Sequence, residues 1–157
     1  MKSNLDLKPD VFPERRKTIK LLQYWEEIRG LRALPMESDI DPDAIEAIWD
    51  DCFLLQTRDL GRSDGNFTYL GKNIILAFRG GYSGDACGEL ISPNVTSLGQ
   101  NFTHLLETGE PQLQEGSFRN IKHDLVRFRQ CLVPLGNQKV SVDAIFGCMS
   151  LKIFPEE

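Results

Sequence analysis

The stretch SDIDPDAIEAIWD puts Asp39, Asp41 and Asp43 at alternating positions, with Asp50 where the last ligand of a calcium loop would fall. Oxygen donors in that rhythm are what a hard divalent cation needs, but such a loop also requires glycine at its sixth position and a bidentate glutamate at its end. Here the sixth position is Ala44, the end is Asp50, and Pro42 stands at the fourth. A proline that starts a helix inside the loop is incompatible with the wrap around an ion. Capping explains the acids better. The Asp41 carboxylate can accept from orphan N–H groups of a helix that Pro42 begins, and Asp43 suits the positive end of that helix.

The remaining residue types able to do chemistry are scattered. Cys52, Cys87, Cys131 and Cys148 never form C-x-x-C, so zinc and redox motifs are unsupported, and all four read as reduced. Three of them sit in apolar runs, where a free cysteine behaves as a small hydrophobe. His104 falls on an expected helix, but at about 100° per residue it points roughly 150° from the apolar face, so it suits solvent better than an iron. His123, in NIKHDL, reads as a turn or surface residue. Neither histidine has a serine or cysteine partner in a strained turn such as G-x-S-x-G. RGGYSGDACG fits neither the dinucleotide fingerprint nor the phosphate-loop pattern.

Composition narrows the class further. The 157 residues are 41% hydrophobic and 26% charged, ordinary for a globular domain large enough to bury its own core. A net charge of −5 argues against general affinity for nucleic acid or acidic membranes, and Arg15, Arg16 and Lys17 read as a solvated helix start. No segment resembles a signal peptide, and none approaches the about 18 apolar residues of a membrane span. A cytoplasmic location is the expectation.

The elements that must position these residues follow from periodicity. Residues 1–13 hold Pro9 and Pro13 without a pattern and read as a flexible arm. A helix begins near Glu14, its stripe formed by Ile19, Leu21, Leu22, Tyr24, Trp25 and Ile28 and its end marked by Gly30. The short helix of the acidic stretch comes next. CFLLQTRDL and FTYLG read as paired strands around the Asp64-Gly65 turn, and IILAF as short helical turns. Pro93 opens an expected helix with Val95, Leu98, Phe102, Leu105 and Leu106 on one face and Gly109 as its left-handed cap. Three strands close the chain, around PQLQEGSF, DLVRFRQCLVPL and VSVDAIFGCMSLKIF, the last two joined by a hairpin at Gly136–Gln138. This order argues an α+β domain with an antiparallel sheet.

Two strands, a helical middle, one long helix and three strands is an order that resembles the PAS domain. More specific are the words YWEEIRGLRALPMESDIDP, FTYLGKNI and AIFGCMSLKIF, which look like a family of short stand-alone bacterial PAS proteins over about residues 20–154. The resemblance implies a PAS-like five-stranded antiparallel sheet with helices on one face and an extra N-terminal helix, residues 14–157 forming one domain that includes a helical extension over 14–50. It implies a sensory or regulatory module, not an enzyme, that acts through protein contacts and has room for a small ligand in its core. Phe102, Leu106, Phe128 and Phe146 are the candidate pocket residues. Leu21, Tyr24, Trp25 and Ile28 are the candidates for contact with another signalling protein or for a homodimer. No cofactor or metal is expected: the light-sensing PAS branch has an asparagine-cysteine-arginine word that Cys87 lacks. The alternatives are a sensor loaded with haem or flavin, or a small α+β enzyme with a buried carboxylate as base.

Overall fold

The computed structural model describes residues 13–80, 92–136 and 141–155, with side chains described from Arg16 onward. The expected arm (Pro13 aside), Cys87 and most of the GNQ turn lie outside these residues. The helices are α1 (Pro13–Arg29), α2 (Glu46–Trp49), α3 (Lys72–Phe78) and α4 (Thr103–Thr108). The strands are β1 (Cys52–Gln56), β2 (Tyr69–Leu70), β3 (Gln112–Arg119), β4 (Leu125–Leu135) and β5 (Ala144–Phe154). They form one antiparallel sheet in the order β2-β1-β5-β4-β3, so the fold expected from the resemblance is borne out.

Side-chain alternation divides the core into two layers. Phe53 and Leu55 of β1, Val126, Phe128 and Leu132 of β4, and Ile145 and Met149 of β5 turn to one face, under α3, α4 and the loop before α4. Cys52, Leu54, Cys131, Val133, Phe146 and Cys148 turn to the other, and α1 covers them with Leu21, Tyr24 and Trp25. The short middle helices share one face as expected, and the N-terminal helix takes the opposite one. Trp25 fixes it there by donating its indole N–H to the Pro134 carbonyl at 2.8 Å.

The acidic stretch is a structural knot. The Asp41 side chain accepts from the Asp43 N–H at 3.1 Å and caps a 3-10 turn, Pro42–Ile45, that leads into α2. Asp39 accepts from the Met36 N–H at 2.8 Å and pairs with Arg32 at 2.8 Å. These two partners, the backbone amide first, hold its carboxyl below the usual carboxylate range. The Tyr24 hydroxyl accepts from the Asp41 N–H at 2.6 Å, which joins the knot to α1.

Two expectations are corrected. The helix expected from Pro93 contracts to six residues, Thr103–Thr108, because residues 93–102 form turns instead. Asn94 supplies the reason: its side-chain oxygen accepts from the Thr96 N–H and from the Thr96 and Ser97 hydroxyls, an arrangement that competes with a helix. Gly109 still ends α4, at φ +68. The β1–β2 connection is also no two-residue hairpin. A 3-10 turn at Thr57–Asp59 and a longer loop intervene, and pairing resumes only at Leu54 with Tyr69.

Candidate functional site

Gln130 interrupts the inward-facing series of β4, between Phe128 and Leu132, and is only 3% exposed. A buried carboxamide needs partners, and other glutamines provide them. Gln130 Nε2 donates to Gln114 Oε1 on β3 at 3.0 Å, its partner in register. Gln130 Oε1 accepts from Gln100 Nε2 at 2.8 Å, and the same nitrogen lies 3.8 Å from the Met149 sulfur. Register places Gln114, Gln130 and Met149 in one row across β3, β4 and β5.

Gln100 reaches this row from the loop before α4. Gly99 holds that loop against β3 at φ +65, and a side-chain carbon there would come within 2.9 Å of the Ser117 carbonyl. A residue other than glycine would lift the loop away. The chain of amides then ends without a partner: Gln100 Oε1 is buried and accepts no hydrogen bond among the described residues. One inward step along β3, Gln112 Oε1 is in the same condition. Each such orphan costs on the order of 1–3 kcal/mol. Beside the chain lies a cleft of about 270 Å³, lined by Gly99, Gln100, Asn101, Gln114, Phe128 and Gln130 among others.

The candidate pocket residues separate. Phe102 and Phe128 lie in the α3/α4 layer, 6% and 3% exposed. Phe146 belongs to the opposite layer beneath α1, because its neighbours Ile145 and Gly147 take the inward positions of β5. Leu106 is 40% exposed on α4. The four therefore do not converge on one interior. The contact candidates on α1 are likewise turned inward: Leu21, Tyr24 and Trp25 are buried on the chain's own sheet, with Ile28 packed partly against the same layer. A partner at α1 would meet its other face.

Among the described residues, the other groups that the sequence offered for chemistry are engaged or exposed. Asp51 is a buried carboxylate, but it pairs with Lys17 at 3.2 Å and accepts from Asn73 Nδ2 at 2.8 Å, one partner on each oxygen. Neither oxygen is left as a free base. His104 is exposed on α4. Cys52, Cys148 and Cys131 form a cross-strand row on β1, β5 and β4 beneath α1, all free thiols. The Cys148 thiol and burial push the Cys52 thiol far up, and burial pushes Cys131 up to about 12. Such thiols are poor nucleophiles at neutral pH. Among the described residues no cluster of histidine, cysteine and acid side chains is arranged to hold a metal ion, and no helix is long and apolar enough to cross a membrane.

Sequence reasoning missed the glutamines, although one signal was present. Val126, Phe128, Gln130 and Leu132 alternate as a single inward series, and a glutamine in that series must find an internal partner.

Residues 14–78 match the PAS domain family. The matched stretch runs from α1 through α3, less than half of the chain, and over it the resemblance to the PAS domain read from the sequence is borne out. No curated protein matches the chain. Among solved structures, the Rhodobacter sphaeroides LOV protein is 15% identical with a TM-score of 0.45, over 68% of this chain and 64% of that one. The match thus spans less than two thirds of the LOV protein. The PAS domain from Bordetella pertussis BvgS is 12% identical with a TM-score of 0.35, over 63% of this chain and 72% of that one.

Proposed function

We propose that this chain is a PAS-type sensory module that receives a small neutral molecule at the glutamine chain and passes the event on by protein contact. The observation that carries the reading is the Gln100–Gln130–Gln114 chain, centred on the buried Gln130, which ends in an unpartnered acceptor beside a cleft. An N–H or O–H donor placed against Gln100 Oε1 would relieve the cost of leaving that oxygen dry. An anion would gain less, because it would meet the Glu115 carboxylate that also lines the cleft, while the carboxamides offer only dipoles to balance it.

The cleft also explains how occupancy could be felt elsewhere. One wall is the loop carrying Gln100, and the other is the pair of strands β3 and β4. A ligand that bridges them favours one packing of loop on sheet over others, which is a population shift. Strand alternation conveys any change of β4 to the opposite face, where Arg129 and Cys131 flank Gln130.

The test uses flat, neutral lactams, with 2-pyridone as the probe. Its ring N–H can donate to Gln100 Oε1. Thermal unfolding of the full chain should shift upward with 2-pyridone, and Gln130→Leu, which removes the middle of the chain, should abolish the shift. An equal shift in the variant, or none in the native protein across a family of such lactams, would overturn the reading.

A further inference from the structure

The face of the sheet beneath α1 is only half covered by the described residues. The helix lies over the Cys52–Cys148–Cys131 row and the residues above it, where Leu54, Phe146 and Val133 are buried. Below that row the register continues with no described helix over it. Glu115, Arg129 and Ser150 form the next row across β3, β4 and β5, then Ser117, Arg127 and Lys152. The last row holds Arg119, Leu125 and Phe154. Arg119, Arg127, Arg129 and Lys152 are all exposed. In these three rows four cations therefore share one bare face with a single acid, Glu115, which pairs with Arg129 at 3.3 Å. The chain as a whole carries −5.

This charge is arranged around an aromatic anchor. The Phe154 ring is 39% exposed, with the Arg127 guanidinium 5.4 Å and the Lys152 ammonium 5.8 Å from its centre. Leu113, 64% exposed on β3 and paired with Cys131, ends the cysteine row at the edge of the same face. A depression of about 450 Å³ runs between Glu115, Arg127, Arg129, Ser150, Lys152 and Phe154. β3 is also the edge of the sheet, so an extended segment can reach the face from the side.

We infer that this half-face docks an acidic, partly apolar segment of another protein, whose carboxylates meet Arg127 and Lys152 while an apolar side chain covers Phe154. Charge complementarity selects the occupant. A strongly negative chain that gathers cations on one bare patch offers a binding site to acids and repels them elsewhere. The exposed Leu113 and Phe154 favour a partly apolar peptide over a nucleic-acid backbone, which has no aliphatic side chain to cover them. The inference rests on the reading of the chain as a contact-signalling module and names the chemistry of its partner.

The probe is a fluorescein-labelled peptide of alternating glutamate and leucine, titrated with the full chain by anisotropy. Binding should weaken as salt is raised, since exposed charges are screened. It should fall about tenfold or more in the Arg127→Glu, Lys152→Glu variant, as expected where like charges are set opposite one another. A lysine–leucine peptide should not bind. Both substituted positions are exposed, so the thermal midpoint should hold; Lys152→Ala alone should give a smaller loss on an unperturbed fold. Equal binding by the charge-reversed variant, or equal binding of the lysine peptide, would overturn the inference. So would a dimer of the native chain that dissolves in the variant, which would make a second copy the occupant. Single-stranded DNA displacing the peptide at equal concentration would do the same. If 2-pyridone stabilises the chain while the peptide fails to bind, this inference falls and the interior reading stands. Peptide binding without any lactam effect means the opposite: the docking face stands and the interior reading falls.

Discussion

A methyl group at Gly147 would come within 2.5 Å of the Phe53 ring, as one at Gly116 would of the Phe128 ring. Each aromatic lies over a glycine on the neighbouring strand, as the pairs Phe53–Gly147 and Gly116–Phe128 require. Gly147→Ala should therefore destabilise the protein by about 1–3 kcal/mol in urea denaturation, the usual range for overpacking. Phe53→Leu in the same chain should recover part of that loss; no recovery would show that the ring is not the obstacle. The thiol row makes a second prediction at this scale. In a Cys87→Ser background at pH 8, an aromatic disulfide reagent should modify Cys52, Cys131 and Cys148 no faster than the fold opens. Labelling within seconds in the native state would contradict their burial beneath α1. Cys52, Cys131 and Cys148 read correctly as small buried hydrophobes, because each sits in an apolar run, whereas Cys87 lies outside the described residues. Their alignment across β1, β5 and β4 was invisible, since register joins residues far apart in sequence.

The acidic knot and α1 act at the scale of elements. Capping at Asp41 was legible because Asp-Pro is a local signal, whereas the bond from Trp25 to Pro134 spans most of the chain. Trp25→Phe keeps the ring in the core but leaves the Pro134 carbonyl unpaired, and should cost on the order of 1–3 kcal/mol in the same denaturation assay. Asp39 gives a pH signature. Its folded carboxyl titrates below the ordinary aspartate range, so its contribution is full above the unfolded value and disappears as pH falls through the folded one. The stability gap between the native protein and Asp39→Asn should accordingly be constant near neutrality and close below about pH 4. A gap that persists unchanged into strong acid would mean that the carboxylate's charge contributes nothing. The overestimated helix before Gly109 belongs to this scale as well. Its apolar spacing was real, and Val95, Leu98, Phe102 and Leu105 are all buried, but turns delivered them to the core in place of a continuous helix.

For the whole molecule, the antiparallel order of helices and strands was legible from periodicity and turn residues. The division of the sheet into two faces was not, because it depends on which helix covers which side. Function turns on that division. It places Phe146 in the layer opposite Phe102 and Phe128, turns Leu21, Tyr24 and Trp25 toward the chain's own core, and leaves Gln130 inside with Arg129 outside on adjacent positions of β4. The glutamine chain and the cationic half-face are then two sides of the same strands, one proposed to take a neutral ligand and the other an acidic partner. The most direct test of the receiving site is the side-chain amide spectrum of nitrogen-labelled protein titrated with 2-pyridone. The NH2 resonances of Gln100, Gln114 and Gln130 should move together and saturate, while those of exposed glutamines stay in place. If these resonances do not move while the lactam binds elsewhere, the glutamine chain is not the receiving site.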